Sequence, residues 1–221
     1  MQSYENFEIL IWDGLSTDKT KKVIETFLHD KRIRFYEGHD EGPGDAFNRC
    51  LRLAKGDVCS FLGSDDCLSN KSVLKNINNQ FCKNEVDAVY GNLEYYGHKF
   101  SRRNWKPGKY VENSFLHGWQ IPFPCFFFKK SLVISHGYLD TNFNFADDYE
   151  FIFRLVHIKQ INISYLDSFF VKFRYDGRSS NFFSRLKSLH EIYKVFRKFN
   201  IKINMISFII LRYGIKIRQL I

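Results

Sequence analysis

The chain has 221 residues, 44% of them hydrophobic, and a net charge of +9. That length supports one sizeable core with room for a small appendage, and that apolar fraction excludes a disordered chain. No run reaches the roughly 18 apolar residues of a bilayer span, and the polar start from Met1 to Asn6 is unlike a signal peptide. In chain order, residues 7–12 read as a buried strand ending at Asp13-Gly14. Ser16-Thr17-Asp18 starts a helix with Val23, Ile24, Phe27 and Leu28 on one stripe, and residues 33–36 form a second short strand. Gly42-Pro43-Gly44 breaks the chain before a helix over residues 45–55, with Ala46, Phe47, Cys50, Leu51 and Ala54 on one face. Gly56-Asp57 ends it, and a strand over residues 58–62 runs into Gly63-Ser64-Asp65-Asp66. Ser69 is read as the cap of a helix to Phe81, followed by a strand over residues 87–91. Residues 92–125 hold Gly97, Pro107, Gly108, Pro122 and Pro124 and read as loops and short strands; residues 125–128 return as a strand. Residues 147–157 form an amphipathic helix, residues 169–175 a half-exposed strand, and Leu186, Leu189, Ile192, Tyr193, Phe196 and Phe199 recur at helical spacing. Strands alternating with helices predict an α/β fold, a largely parallel sheet and ligands at one edge.

The charge is unevenly placed. Residues 172–221 hold 12 Lys/Arg against 2 Asp/Glu, while residues 1–171 hold 21 against 22. A basic tail suggests an anionic partner. The run from Met205 to Leu211, beside Lys202, Arg212, Lys216 and Arg218, is too short to span but suits a helix lying in an anionic membrane interface. A helix packed on the rest of the molecule is the competing reading. The slightly acidic N-terminal part and the lack of a nucleic-acid motif argue against a nucleic-acid partner. The five cysteines include no C-x-x-C pair, which predicts reduced thiols in a cytoplasmic protein and no zinc site.

Acidic residues gather at strand ends and helix starts: Asp13, then Asp65 with Asp66, then Asp147 with Asp148, while Asp40 and Asp45 flank the glycine loop. Ligands of open α/β sheets bind beyond the carboxyl ends of strands. Adjacent carboxylates repel each other and gain from a cation between them. A solvated turn that caps the next helix would explain each station separately; together they suggest transfer from a nucleotide diphosphate donor. Asp66, with or without Asp65, would hold a divalent ion that neutralises the leaving diphosphate. Asp13 could accept hydrogen bonds from a nucleobase or ribose. An attacking hydroxyl needs a base within about 3 Å, and Asp147 or Asp148 is the candidate. Asp45 reads equally as a helix cap or a ligand contact.

Ile11-Trp12-Asp13-Gly14-Leu15-Ser16-Thr17-Asp18 resembles the "V-D-G-G-S-T-D" segment of family 2 glycosyltransferases. Asp40-Glu41-Gly42-Pro43-Gly44-Asp45-Ala46-Phe47-Asn48 is similar to their "D-x-G-x-x-D-A-x-N". Phe61-Leu62-Gly63-Ser64-Asp65-Asp66 matches "F-L-x-S-D-D", and Ala146-Asp147-Asp148-Tyr149-Glu150 with Arg154-Leu155 matches "A-x-D-Y-E-x-x-x-R-L". Asp176-Gly177-Arg178-Ser179-Ser180 is similar to their "G-G-x-S" turn. The resemblance implies the GT-A fold, a Rossmann-like mixed sheet flanked by helices, over residues 1–175, with residues 176–221 as a basic helical extension. It implies inverting transfer of a sugar from a nucleotide-sugar donor to a glycan or lipid-linked acceptor, with Mg or Mn, in bacterial surface-polysaccharide synthesis; the cysteines and the basic tail read separately as a cytoplasmic chain that could lie on the cytoplasmic face of the membrane. It assigns Asp13, Asp45, Asn48 and Asp65 to the nucleotide-sugar, Asp66 to the metal, and Asp148 to the base with Asp147 as the fallback.

The chain departs from the family pattern in three ways. Pro122-Phe123-Pro124 stands where many relatives have "P-H-Q". Leu15 replaces a common glycine. The strand and helix that usually precede the segment at Gln2 are not in this sequence, so residues 1–221 alone are expected to be poorly stable and inactive. An inactive remnant that only binds is the alternative function.

Overall fold

The computed structural model describes residues 2–96, 104–174 and 182–218. The motif at Asp176–Ser180 lies outside the described residues. Strand β1 (Ile9–Asp13) pairs in parallel with β2 (Ile33–Glu37), Ile9 opposite Ile33 and Asp13 opposite Glu37. Helix α1 (Thr20–Glu25) connects them. Helix α2 (Pro43–Leu53) follows, with Gly42 at φ 124° before it and Pro43 at its start, where a missing N–H loses nothing.

A second sheet has the order β3 (Val58–Cys59), β7 (Phe126–Lys129), β5 (Ala88–Tyr96), β8 (Ile163–Arg174), β4 (Cys67–Leu68), and β6 (Asn104–Trp105) also pairs with β5. Only β5 and β8 run parallel in it. The sheet is therefore mixed, as the resemblance implies, and not largely parallel as the alternation of elements predicts. The strand expected to reach Leu62 stops at Cys59. Its partner β7 begins only after a 3-10 turn at Phe123–Cys125, so Val58 and Cys59 alone find ladder partners, Lys129 and Phe128. Phe61 turns inward instead, its ring 5.4 Å from Phe47 and 5.6 Å from Phe123. Helix α3 (Val73–Lys83) starts later than expected and Ser69 does not cap it; the Ser69 hydroxyl donates to the Phe169 carbonyl.

The alternation of β7 divides the core. Phe126 and Phe128 face the larger cluster, and Phe127 faces the smaller one under α3. The larger cluster takes Phe47 and Leu51 from α2, Leu132 and Val133 from α4 (Ser131–His136), and Phe151, Ile152 and Phe153 from α5 (Asp147–Phe153), which continues as one π-turn over Arg154–Ile158. Helix α6 (Phe182–Lys198) contributes Ile192, Val195 and Phe196, and α7 (Met205–Arg218) contributes Phe208. The described part of the basic C-terminal segment thus shares the main core. The α1 stripe does not reach it: Val23 and Phe27 are more than half exposed. The two-stranded sheet stands apart, since β1 pairs only with β2 and β3 only with β7 among the described residues.

Candidate active site

Asp13 ends β1 and is buried at 7% exposure. Its carboxylate accepts from the Ser16 N–H at 3.2 Å and from the Ser16 hydroxyl, which folds the chain into a tight turn. Within that turn Leu15 has φ 66°, the left-handed region that favours glycine, and its side chain is exposed. Gly14 has no room for a side chain: a Cβ would lie 2.6 Å from Asp40 Oδ2. Asp40 in turn accepts from the Gly42 N–H at 2.9 Å and shapes the loop that opens α2.

Two residues expected to touch the donor are engaged within the protein. Asp45 Oδ2 accepts from Arg49 Nε at 2.8 Å, and that pairing holds its carboxyl below the usual range. The Arg49 guanidinium lies 4.9 Å over the Trp12 ring. Asn48 is buried; its amide donates to the Leu139 carbonyl at 2.9 Å and accepts from the Leu139 N–H at 3.0 Å. Asn48 therefore ties α2 to the segment leading into α5.

Asp147 and Asp148 open α5. The Asp147 carboxylate lies against Gly44, so closely that a Cβ there would collide with it. Burial, then the neighbouring Asp148 charge, pushes its carboxyl up to about 7. Asp148 is also pushed up by burial, while the Tyr149 N–H at 2.6 Å and the charge of Arg212 oppose the rise. Asp13, Asp40, the Gly42–Gly44 loop and Asp147 are thus joined by successive contacts, with Asp148 next in line.

Asp65 and Asp66 are anchored elsewhere. Tyr96, at the end of β5, donates to the Asp65 carbonyl at 2.8 Å, and the Arg174 N–H, at the end of β8, donates to Asp66 Oδ1 at 3.1 Å. Both carboxylates turn toward Gly63, where a Cβ would lie 2.7 Å from Asp66 Oδ2 and 3.4 Å from Asp65 Oδ1. Burial, then the Asp65 charge, raises the Asp66 carboxyl. Among the described residues no hydrogen bond joins this turn to Asp147 or Asp148, and no group of three or more His, Cys, Asp or Glu side chains could hold a metal. Two converging oxygen ligands that repel each other still fit a hard cation whose remaining ligands come from a diphosphate and water.

A buried ionic network behind the acids was not assigned from sequence. Glu150 is fully buried and pairs with Arg154 at 2.9 Å and with Lys198 at 2.7 Å. Arg154 also donates to the carbonyls of Gly137 at 3.0 Å and Tyr138 at 2.7 Å, and Lys198 reaches Asp140 at 2.8 Å. The network fixes α5 against α6 and the 136–140 segment. Its sequence signal was present: Glu150 and Arg154 are four residues apart, on one helix face, in a segment otherwise filled by Phe151, Ile152, Leu155 and Val156. The Pro122-Phe123-Pro124 departure is apolar in structure too, Phe123 being buried against Phe47 and Phe151.

The family described as glycosyl transferase family 2 matches residues 1–132. An uncharacterized glycosyltransferase of Haemophilus influenzae is 35% identical over 42% of this chain and 38% of its own length. A similar Rickettsia felis protein is matched over only 17% of its length, so the chain spans well under half of these curated relatives. The Escherichia coli protein named UDP-Glc:alpha-D-GlcNAc-diphosphoundecaprenol beta-1,3-glucosyltransferase WfgD is 29% identical over 84% of this chain and 73% of its own. Among solved structures, Staphylococcus aureus TarS 1–349 in complex with UDP-GlcNAc superposes with a TM-score of 0.69 at 20% identity, covering 97% of this chain and 64% of that one. The mannosyltransferase PcManGT of Pyrobaculum calidifontis, in complex with GDP-Man and Mn2+, gives 0.65 at 16% identity over 97% and 62%. These likenesses establish the GT-A fold.

Proposed function

Because the chain belongs to glycosyl transferase family 2, we propose that it is an inverting glycosyltransferase. It moves a sugar from a nucleotide-sugar donor to a hydroxyl of a glycan or lipid-linked acceptor, in cell-surface polysaccharide synthesis. The observation that carries this reading is the line of carboxylates that runs from the buried strand-end Asp13 to the α5 acid pair, Asp40 seated on Gly14 and Asp147 on Gly44. The lipid-linked acceptor named for the Escherichia coli relative supports the acceptor class.

In this reaction the acceptor oxygen attacks the anomeric carbon, and the bond from that carbon to the diphosphate breaks. Attack opposite the leaving group inverts the centre. Asp148 takes the acceptor proton, with Asp147 as the alternative base. Asp13 faces the nucleoside and Asp65 the ribose. Asp45 and Asn48 act by position, through Arg49 and Leu139. Asp66, with Asp65 beside it, would hold a Mg or Mn ion, which would supply positive charge for the leaving diphosphate.

The α7 helix supports a peripheral place on an anionic membrane surface. Ile206, Ile210, Tyr213 and Ile217 lie on one helical stripe and all are exposed, Ile206 at 73%, while Phe208 and Arg212 on the other side are buried. A second reading, an inactive remnant that only binds, draws on the apolar burial of Phe123 where relatives have polar residues. Calorimetry with UDP- and GDP-sugars, with and without Mn, tests both. Donor binding strengthened by Mn, followed by nucleoside diphosphate release on adding acceptor, is expected. Binding without release favours the remnant, and no binding at all removes both.

A further inference from the structure

Among the described residues Arg212 is a buried cation without an ion-pair partner. It is 8% exposed, and no salt bridge among the described residues involves it. Its guanidinium lies 5.8 Å from the Tyr149 and Phe208 ring centroids. Its Nη1 makes no hydrogen bond. A cavity of about 20 Å³ beside it, bounded also by Gln120 and Trp119, has room for a single water. The placement is built into the backbone: Gly118, at φ 84°, packs on the start of Arg212, where a Cβ would lie 2.6 Å from the Arg212 N and Cα.

Removing a charge from water is costly, and a water molecule solvates it without neutralising it. Asp148 directly precedes the Tyr149 whose ring lies under the guanidinium, so it stands at the same end of α5 as the buried cation, and the Arg212 charge opposes the rise that burial imposes on its carboxyl. The other charged or titratable groups nearby do not take this place. Asp147 on the same helix and Glu191 on α6 bear on each other and not on Arg212, Tyr149, Tyr213 and Tyr95 are phenols around Arg212, and Lys216, beside the same cavity, is a second cation.

We propose that Arg212 is a positioning residue that acts as the counter-charge of Asp148, keeping it ionised for proton abstraction and making α7 part of the catalytic centre. The proposal rests on Asp148 being the base, and the test separates the two ideas. The full chain with ¹³C-labelled aspartate is titrated by NMR, Asp148 being assigned by Asp148→Asn. In Arg212→Gln the Asp148 titration should move to higher pH, and Arg212→Lys should largely restore it. Transfer by Arg212→Gln should fall about tenfold at pH 6 and stay within about twofold on the alkaline plateau, with donor affinity unchanged. An unmoved titration, or an equal loss at every pH, overturns the proposal. If the titration moves while Asp148→Asn keeps full activity, the counter-charge stands and the base assignment fails. Should Arg212→Gln not fold, the same change in the Asp148→Asn background decides. Recovery of folding there supports a charge coupling, and failure in both backgrounds means that Arg212 serves packing alone.

Discussion

Asp147 and Asp148 are neighbours with different surroundings, and their substitutions should differ accordingly. Asp148→Asn should lower turnover by about 10²–10⁴-fold with little change in donor affinity. Steady-state kinetics beside calorimetry checks this, and a severe Asp147→Asn with a mild Asp148→Asn would shift the assignment by one residue. Asp147 should reveal itself in stability. Its carboxyl is raised to about 7 in the fold from an ordinary 3.8, so the folded chain keeps a proton that the unfolded chain has released. Its contribution is then fully present below about pH 4 and is lost as pH rises toward 7. Asp147→Asn should therefore stabilise the protein at pH 8, by on the order of 2 to 4 kcal/mol, and leave stability at pH 4 unchanged. Denaturant melts at the two pH values measure it. Asp66→Asn should abolish Mn-dependent donor binding without loss of fold; equal donor affinity with and without Mn in both proteins would remove Asp66 from the metal role.

Elements that carry their own signal were legible in the sequence. The apolar stripe of α2 runs through Phe47 and Leu51 between a glycine break and Gly56, and that helix forms close to its expected bounds; the apolar positions from Leu186 to Phe196 that recur at helical spacing all fall in α6. Strands set by their partners were not. β3 ends after two residues because β7 offers no more ladder, and β4 and β6 exist only where β8 and β5 pass. β5 runs on to Tyr96, beyond the expected end at Gly91, because Gly91 is there to admit the Phe170 ring, 2.7 Å from where a Cβ would sit. The acids at element ends could be read because two adjacent carboxylates are hard to explain as packing. What joins them could not, since Asn48 and Leu139 are 91 residues apart and no local pattern predicts that they meet. The same holds for Lys198, whose ammonium closes the Glu150–Arg154 pair from another helix. Arg154→Met should accordingly cost about 3–5 kcal/mol, because Glu150 is left buried with a weakened partner set. A cost below about 1 kcal/mol in a urea melt would mean that α5 is held by its aromatic packing instead.

At the scale of the molecule, charge and apolar exposure meet at one end of the chain. The last 50 residues carry 12 Lys/Arg against 2 Asp/Glu. Their final helix uses Phe208 and Arg212 to dock and leaves Ile206, Ile210, Tyr213 and Ile217 in water. Among the described residues no helix is long and apolar enough to cross a membrane. A helix fixed on one side to the core and apolar on the other is suited to lie along an interface, with lysines reaching anionic headgroups. That orientation would bring α5, which α7 touches through Arg212 and Tyr149, close to a surface where lipid-linked acceptors reside. Flotation with vesicles should show binding that grows with anionic lipid and weakens in salt. The triple change Ile206→Ser, Ile210→Ser, Ile217→Ser should remove that binding and leave the melting temperature nearly unchanged, since none of the three is buried. Each buried CH₂ contributes about 0.8 kcal/mol to such insertion, so three isoleucines give a loss well within detection. If the triple variant floats as well as the parent, the exposed stripe faces something other than lipid.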